Sequence, residues 1–305
     1  MVRDASKSRP RITLDQLHTF VALARFEHAG RAAEAIDLSQ GAVSQQLRLL
    51  ESTLDLRLFD RDRRRLRLTD AGRRVAAAAG VALQDACAVE DLADSIRGLT
   101  TGRVSVVATG VLGIDRLPKW IASFLDEHPS LEITVRLANT AAALAAVETG
   151  SADCAVVGGG VRGERIETID LGQSELVVVV APDHPLAGSD ATRETLARHR
   201  YLAREPGSAT EILAPQVLGD AYRSGSVLEL GRLEAVRAAV LAGLGYAVLP
   251  RGVIDSELAS GRLVVLPHPG KPVVQVYRGV RRRGVHSPAA DALWAHLKAQ
   301  APERT

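Results

Sequence analysis

Apolar positions in the first seventy residues recur at helical spacing. Thr13 and Gln16 form a capping box ahead of the first apolar face, which predicts a helix that begins there. Two further short helices are predicted at about 30–36 and 40–52. The tight link between them ends at Ser39, whose side chain is suited to cap the third helix.

The third predicted helix separates its apolar from its polar side chains. At 100° per residue, Val43, Leu47 and Leu50 share one face. The opposite face, with the helix start, carries amide, hydroxyl and guanidinium groups and no carboxylate. Its residues are Gln40, Gly41, Ser44, Gln45 and Arg48. Such groups pair with base edges or phosphates, but most polar helix faces simply meet solvent, so both interpretations stay open on this helix alone.

A basic hairpin is predicted directly after this helix, and it favours the first interpretation. Five arginines occupy the seven positions from Arg61 to Arg67, and polar and apolar residues alternate up to Leu68. A helix-turn-helix with such a wing places one helix in the major groove and a wing arginine over the minor groove. Bases or adjacent phosphates would then be read by Gln40, Ser44, Gln45 and Arg48. The residues predicted to position the phosphate backbone are Arg31, Ser39, Arg61, Arg63, Arg64 and Arg65.

Residues 71–97 are predicted to form one long linker helix. Apolar residues recur by four and three along it, as in a coiled-coil seam. They are Val75, Ala79, Ala82, Ala86, Val89, Ala93 and Ile96. A long helix between two domains favours dimerisation, and the alternative is packing against the protein's own body.

Strand and helix patterns alternate over residues 103–305. They include one predicted helix over 115–128 and separate strands at 164–169 and 176–181. Two α/β lobes with a cleft between them are the expected outcome, lobe I over about 103–177 and 281–305 and lobe II over about 182–277. In such sheets small molecules bind beyond the carboxyl ends of the strands.

Composition and charge support a soluble protein with a basic end. A chain of 305 residues predicts about two domains, and 46% hydrophobic with 24% charged residues excludes disordered and collagen-like classes. The net charge of +2 divides into +5 over the first 75 residues and −3 over the rest, so the N-terminus is expected to meet a polyanion. No signal peptide or membrane span is predicted. Cys87 and Cys154 form no CxxC pair, which indicates a reduced, cytoplasmic protein.

The chain resembles a LysR-type transcriptional regulator over almost its whole length. In the N-terminal part the resemblance rests on Leu14-Asp15-Gln16-Leu17, Arg31-Ala32-Ala33-Glu34, Leu38-Ser39-Gln40, Ala42-Val43-Ser44, Leu49-Leu50-Glu51, Leu58-Phe59-Asp60-Arg61 and Leu68-Thr69-Asp70-Ala71-Gly72. In the C-terminal part it rests on His184-Pro185-Leu186-Ala187, on Ala242 to Pro250 and on Leu258 to Leu263. Three further stretches are similar to the branch that regulates carbon-fixation operons and sulfite reduction. They are Asn139-Thr140, Arg204 to Glu211, and Leu228 to Gly231 ahead of Glu234-Ala235.

This resemblance implies the fold, the partners and the mode of action. The expected fold is an N-terminal all-α winged helix-turn-helix with a long linker helix, followed by a C-terminal two-lobed α/β effector domain like a periplasmic binding protein. The implied divisions are a DNA-binding domain at 12–70, a dimerising helix at 71–97 and an effector domain at 103–305, with crossover strands near 178 and 278. The implied protein is a homo-oligomer, usually a dimer of dimers, that binds operator DNA and responds to a small inducer.

Some positions depart from the family's usual pattern. Ala29 and Gly30 stand where an aromatic and a hydroxyl residue are common, and Gly41 replaces a common proline. Gly110 follows Thr109 where a second hydroxyl is common, and Arg232 replaces a small hydroxyl residue. These changes put base preference and inducer identity in doubt but leave the fold unaffected.

A small anionic metabolite is the predicted effector, with no metal or cofactor. Free backbone N–H groups where a strand runs into a helix attract anions, and two loops of this kind would face the cleft. The candidate residues are Thr109, Gly110, Val111, Asn139, Thr140, Gly158, Gly207, Ser208, Thr210 and Arg232. Ser208 and Thr210 also suit ordinary helix caps, and Arg232 could simply fill the pocket.

Several alternatives stay open at this point. Gly158–Gly163 fits GxGxxG, but a dinucleotide-binding enzyme needs a helix opening at the third glycine, and a strand is predicted there instead. No hydrolase or metalloenzyme motif occurs, so we expect no enzyme. A redox-responsive regulator would need two neighbouring cysteines, whereas Cys87 and Cys154 are predicted to pack as small hydrophobes. A ligand-independent regulator is the remaining alternative.

Overall fold

The computed structural model describes residues 10–62, 65–96, 102–161, 163–267 and 271–301. They form two compact units, an N-terminal one that ends at Ala93 and takes in Glu148–Ser151, and a C-terminal one that holds the rest. The expected fold class is confirmed, since a helical N-terminal unit with a β-wing precedes an α/β unit. None of the described helices has the length and apolar character needed to span a membrane.

The N-terminal unit consists of four helices and a hairpin. Its elements are α1 (Leu14–Phe26), α2 (Ala29–Ala35), α3 (Gln40–Leu54), β1 (Phe59–Asp62), β2 (Arg65–Leu68) and α4 (Asp70–Ile96). The starts of the first three helices follow from local capping, because the side chains of Thr13, His28 and Ser39 each accept a hydrogen bond from a first-turn N–H. The Thr13 cap is the expected capping box with Gln16.

One small core holds this unit together. Phe20 and Leu23 from α1, Val43 and Leu50 from α3, and Phe59 from β1 are all buried in it. The rings of Phe20 and Phe59 meet edge to face with centroids 5.8 Å apart, which ties the hairpin to α1. A fully buried Leu or Phe contributes roughly 1.5–3 kcal/mol, so these side chains fix the orientation of α3.

The apolar seam predicted along α4 divides into two parts. Ala79 is buried in the N-terminal core, and Val75 and Ala82 pack against that core. Val89 of the seam and Leu92 next to it, in contrast, are 61% and 47% exposed. The first half of the seam therefore serves the unit's own core, and only the second half leaves large apolar side chains exposed.

The C-terminal unit alternates strands and helices. Its elements are β3 (Gly102–Ala108), α5 (Gly110–Asp115), α6 (Leu117–Glu127), β4 (Leu131–Leu137), α7 (Thr140–Glu148), β5 (Cys154–Gly158), β6 (Ile166–Val180), α8 (Arg193–Leu196), β7 (Tyr201–Ala203), α9 (Ala209–Leu218), β8 (Val227–Glu229), α10 (Leu233–Leu241), β9 (Ala247–Pro250), α11 (Asp255–Ala259), β10 (Val264–Leu266), β11 (Val273–Arg282) and α12 (Pro288–Ala299). The short elements α8, α11 and β10 were not predicted.

Seven of these strands form one mixed sheet. β3 pairs in parallel with β4 on one side and β5 on the other, and every residue of β5 is buried, as expected for a strand covered on both faces. β11 pairs antiparallel with β5 and with β6, and β6 then continues to pair with β9 and β10. We call β3–β5 with α5–α7 and α12 lobe I, and β7–β10 with α8–α11 lobe II. β6 and β11 run between the lobes.

Two sequence predictions in this unit are wrong in detail. The two strands expected at 164–169 and 176–181 are one strand, β6, because its residues stay paired with β11 through a register shift near Gly172. The helix expected at 115–128 is two helices, α5 and α6, and Arg116 lies between them. Pro118 lacks an N–H donor and is tolerated in the first turn of α6 but not in a helix interior.

Candidate functional site

The polar face of α3 is exposed on the N-terminal unit. Val43, Leu47 and Leu50 are buried beneath it, so the predicted separation of faces holds in the folded unit. Arg48 donates from Nε to the Ser44 carbonyl oxygen at 3.2 Å, which orients its guanidinium along the helix. On this face Gln40, Gly41, Gln45 and Arg48 are exposed, and Ser44 is half-buried.

The wing lies where the winged-helix prediction requires it. β1 and β2 pair antiparallel from Phe59 opposite Leu68 to Asp62 opposite Arg65. Arg61 and Arg65 lie on the two strands, whereas Arg63 and Arg64 lie outside the described residues. Arg67 is exposed on β2, and Arg31 and Ser39 are exposed at the start of α2 and at the cap of α3.

Glu51 joins the wing to α3, a role that was not predicted from the sequence. Its Oε1 accepts hydrogen bonds from the backbone N–H groups of Leu58 and Phe59, at 2.8 and 3.3 Å. At the same end of the hairpin, a Cβ on Gly72 would lie 2.0 Å from the Leu58 carbonyl oxygen. A glycine is therefore required where α4 starts against the wing, and these contacts hold wing and α3 as one surface.

A small open pocket lies between the lobes of the C-terminal unit. Its lining consists of Thr109, Gly110, Asn139, Thr140, Arg204, Ser208, Ala209, Thr210 and Gln275. Six of these nine residues were predicted from the sequence. Arg204, Ala209 and Gln275 were not, and none of the nine carries a carboxylate.

Thr109 brings an unsatisfied hydroxyl to this pocket. Its side chain is 8% exposed, and its Oγ1 has no hydrogen-bond partner in the described part of the chain. Thr109 occupies the N-cap position of α5 without capping it, while its backbone N–H is held by the Val156 carbonyl oxygen at 2.9 Å. Because a buried hydroxyl without a partner is costly, a polar ligand atom would relieve it.

The first turn of α9 forms the wall from lobe II. Ser208 Oγ accepts from the Glu211 N–H at 3.2 Å and caps the helix. Arg204 is also buried here, and its guanidinium donates to the Glu205 carboxylate from Nε and Nη2 at 2.9 Å and to the Gly231 carbonyl oxygen at 3.0 Å. Its charge is thus largely neutralised before a ligand arrives.

Glu211 is turned away from the pocket and braces this wall. Its Oε2 accepts from the Tyr201 hydroxyl and the Arg204 N–H, at 3.0 and 3.1 Å. Its Oε1 accepts from the Tyr222 hydroxyl at 2.8 Å and from Arg223 Nη2 at 2.9 Å. Burial, reinforced by the Glu211 carboxylate, raises the pKa of Tyr201 far above its ordinary value, so this hydroxyl remains a donor.

Two further hydrogen bonds lie at the border of the pocket. Asn139 Nδ2, from lobe I, donates to the Pro206 carbonyl oxygen of lobe II at 3.2 Å. Gly207 has a φ of +83°, and a Cβ there would lie 3.3 Å from Asn139 Nδ2. On the lobe I side, Thr140 Oγ1 donates to the Gly158 carbonyl oxygen at 3.0 Å.

Three predicted effector residues lie outside the described lining, and the side chain of a fourth, Val111, is not among the described ones. Gly158 and Gly207 border it through the contacts of Thr140 and Asn139. Val111 belongs to α5, and Arg232 is exposed at the N-cap of α10. Gln275 was missed, and the signal that could have identified it is its place as a lone polar residue among the apolar residues 273–277.

The described residues do not support dinucleotide binding, redox sensing by paired cysteines or metal binding. After Gly158 the described residues up to Ile166 open no helix, so the GxGxxG match lacks its required context. Burial, together with the charge of Asp153, raises the pKa of the Cys154 thiol to about 12. Cys87 is exposed, which corrects its predicted packing. No group of three or more His, Cys, Asp or Glu suited to a metal lies among the described residues.

Comparison with known proteins assigns the family. A model of the bacterial regulatory helix-turn-helix protein, lysR family, matches residues 14–73, and one of the LysR substrate binding domain matches residues 97–302. The chain belongs to the LysR family. It is therefore a DNA-binding transcriptional regulator with an effector-binding domain, and the expectation that it is not an enzyme is confirmed.

Curated relatives of this LysR protein belong to the branch of the family that regulates carbon-fixation operons. The RuBisCO operon transcriptional regulator of Allochromatium vinosum is 34% identical over 289 residues, covering 92% of this chain and 94% of the relative. The HTH-type transcriptional regulator CbbR of Rhizobium meliloti is 34% identical over 287 residues, covering 92% and 91%. The predicted resemblance to that branch is confirmed.

Solved structures show the same fold. A full-length OxyR variant from Pseudomonas aeruginosa superposes with a TM-score of 0.73 at 24% identity, covering 97% of this chain and all of that one. Full-length CbnR complexed with its target DNA superposes with a TM-score of 0.60 at 20% identity, covering 95% and 100%.

Proposed function

We propose that this LysR regulator reads operator DNA with α3 and the wing, under the control of a small anionic metabolite held in the pocket. The proposed divisions are the DNA-binding domain at 12–70, the linker helix at 71–97 and the effector domain at 103–305. Because its partner is DNA, it acts in the cytoplasm.

The exposed polar face of α3 supports the DNA-reading role. Gln40, Ser44, Gln45 and Arg48 offer amide, hydroxyl and guanidinium groups that pair with base edges in the major groove. The remaining proposed contacts position the phosphate backbone, which carries no sequence information by itself. They are made by Arg31, Ser39, Arg61, Arg63, Arg64 and Arg65.

Arg48→Ala tests this assignment. The variant is expected to lose about 1–3 kcal/mol of discrimination between operator and random DNA, measured by fluorescence anisotropy at two salt concentrations. The control is Arg193→Ala, which removes an exposed arginine from α8 and should leave the ratio of operator affinity to random-DNA affinity unchanged. An unchanged ratio for Arg48→Ala would mean that α3 is not the base-reading helix.

The operator can be sought in a defined order. Footprinting would start with the DNA upstream of the protein's own gene and its neighbours, and then with carbon-fixation genes, since a relative regulates the RuBisCO operon. A protected site with dyad symmetry, whose affinity falls steeply with salt, is the expected result.

The buried hydroxyl of Thr109 is the observation that carries the effector proposal. It has no partner in the described chain, and the pocket around it is lined without a carboxylate. The first turn of α9, a helix of ten residues, adds backbone N–H groups to the same pocket, and such groups favour anions. An acid group that accepts from Thr109 and from this turn fits these donors.

Calorimetry with matched probes tests the charge. Sulfate and oxalate are the anionic probes, and oxamide is the neutral counterpart of oxalate. We expect the wild type to bind the anions and not oxamide, Thr109→Ala to bind them about ten-fold more weakly, and Thr109→Ser, which keeps the hydroxyl, to bind nearly as well as wild type. Equal binding of oxamide and oxalate, or no binding of either anion, would contradict an anionic effector.

We also propose self-association through the second half of α4. Val89, a position of the predicted heptad seam, and Leu92 beside it are large apolar side chains left exposed there. Val89→Glu is expected to weaken the proposed dimer, measured as a lower mass in sedimentation at micromolar concentration. An unchanged mass would place the interface elsewhere.

A further inference from the structure

Gln275 occupies an unusual place in the pocket. It lies on β11, one of the two strands that run between the lobes, and only 1% of it is exposed. Its neighbours along the strand are apolar, and its side chain is the one from this strand that lines the pocket. A buried carboxamide is kept in an apolar strand only when its polar atoms have partners.

The two polar atoms of this carboxamide contact different lobes. Oε1 accepts from Thr210 Oγ1 of lobe II at 3.1 Å. Nε2 points toward lobe I, where a Cβ placed on Gly158 would lie 2.2 Å from it. Gly158 therefore makes room for the amide. Because Thr210 already occupies Oε1, the group that Gln275 can offer to a ligand is the Nε2 donor.

The charged groups around the pocket are few. Arg204 is paired with Glu205, and Glu211 of α9 is committed to Tyr201, Tyr222, Arg204 N–H and Arg223 on the far side. On the α10 side, Glu234 Oε1 lies 3.5 Å from the Cβ position of Gly110. With these carboxylates outside the lining, the side chain at position 275 decides whether a donor or an acceptor faces the ligand from β11.

We propose that Gln275 is the residue that determines the charge specificity of this pocket. Its neutral carboxamide presents Nε2 to the acid group of the ligand and holds Thr210 in place with Oε1. This inference rests on the proposed effector function. A carboxylate of the same shape would place a negative charge among the donors, where it would repel the bound anion.

Gln275→Glu makes the test sensitive to pH. The new carboxyl group is isosteric, and burial keeps its pKa above the ordinary value. It is therefore more nearly neutral at pH 5 than an exposed carboxyl group and becomes ionised as the pH rises toward 8, while sulfate keeps its charge throughout and oxalate nearly so. We expect the variant to bind both anions at least about ten-fold more weakly than wild type near pH 8, and to recover to within about three-fold near pH 5, measured by calorimetry.

Two further variants separate this role from a structural one. Gln275→Leu removes the donor without adding a titratable group, so its binding should be weak at both pH values. Gln173→Glu adds the same charge to an exposed position on the other crossing strand, β6, so its binding should follow wild type at both pH values. Only the charge at position 275 is expected to produce a pH-dependent loss.

The outcomes distinguish the inference from the function on which it rests. If wild type binds the anions and Gln275→Glu binds them equally well near pH 8, the role of Gln275 is overturned and the anionic effector stands. If binding of Gln275→Glu is weak at both pH values, Gln275 acts structurally, and the specificity role is again overturned. If wild type binds neither anion, or prefers oxamide, the anionic effector and this inference fall together.

Discussion

Replacing Glu211 by glutamine is expected to loosen the wall of the pocket formed by lobe II. The carboxylate is 6% exposed and accepts from four donors, two at each oxygen: the Tyr201 hydroxyl and Arg204 N–H at Oε2, and the Tyr222 hydroxyl and Arg223 Nη2 at Oε1. These donors come from β7, from the residue after it and from the turn after α9. Glu211→Gln keeps the shape and replaces one acceptor by an NH2 group.

The cost depends on which oxygen is replaced. At Oε2 the new NH2 would face the Arg204 N–H, a buried donor that cannot turn away, which costs about 1–3 kcal/mol. At Oε1 it would face Arg223, whose side chain is 38% exposed and can turn to water, so this orientation is cheaper. The tyrosine hydroxyls can rotate in either case. Because charge-assisted hydrogen bonds are also lost, we expect the free energy of local opening to fall by about 2 kcal/mol in Glu211→Gln and by about 3–5 kcal/mol in Glu211→Ala.

Native-state hydrogen exchange of the full chain measures this local effect. The free energy of opening for amides in β7 and α9 should fall by these amounts. Amides of the N-terminal core should be unchanged. Glu229→Gln removes an exposed carboxylate from β8 and serves as the control, with a change of at most about 0.5 kcal/mol. A Glu211→Gln variant that matched this control would refute the bracing role.

Three further perturbations have defined outcomes. Arg67→Ala on the exposed side of the wing should weaken binding to operator and random DNA alike and reduce the slope of log affinity against log salt by about 1, and an unchanged slope would exclude a phosphate contact. Asn139→Ala removes the hydrogen bond across the pocket, so a thiol introduced by Thr109→Cys, in a Cys87→Ser background, should react with maleimide several-fold faster; equal rates would show that the bond does not restrict access. Burial alone would raise the pKa of Glu257, but hydrogen bonds, that from Arg237 foremost, lower it overall. Its stabilisation is therefore complete above the ordinary carboxyl range and lost as the pH falls through the lowered value, and Glu257→Gln should flatten that part of the curve of urea midpoint against pH.

Much of the N-terminal unit was predictable because its signals are local. The capping box of Thr13 and Gln16 and the cap at Ser39 set helix starts through contacts within three residues. The apolar spacing of Val43, Leu47 and Leu50 predicted the buried face of α3, and the opposite face followed from it.

Predictions failed where a local pattern competed with a distant partner. The continuity of β6 depends on pairing with β11, which lies about a hundred residues further along the chain. The break at Arg116, in contrast, follows a local signal, Pro118, which the helix prediction overlooked. The first half of the α4 seam resembled a coiled coil, but Ala79 is buried in the core around α1 and α3. The same apolar spacing fits an intramolecular and an intermolecular partner equally well.

Some features of the pocket could likewise be predicted, and others could not. The family, the winged-helix unit and the loops that carry Thr109 and Ser208 could be predicted from the amino-acid sequence, because helix caps, helical periodicity and strand ends depend on neighbouring residues. The unsatisfied hydroxyl of Thr109 and the burial of Arg204 against Glu205 became visible in the folded chain alone. The same holds for the contact of Gln275 with Thr210, which are 65 positions apart. Strand pairing brings such residues together, and no local pattern records which of their polar atoms are left without a partner.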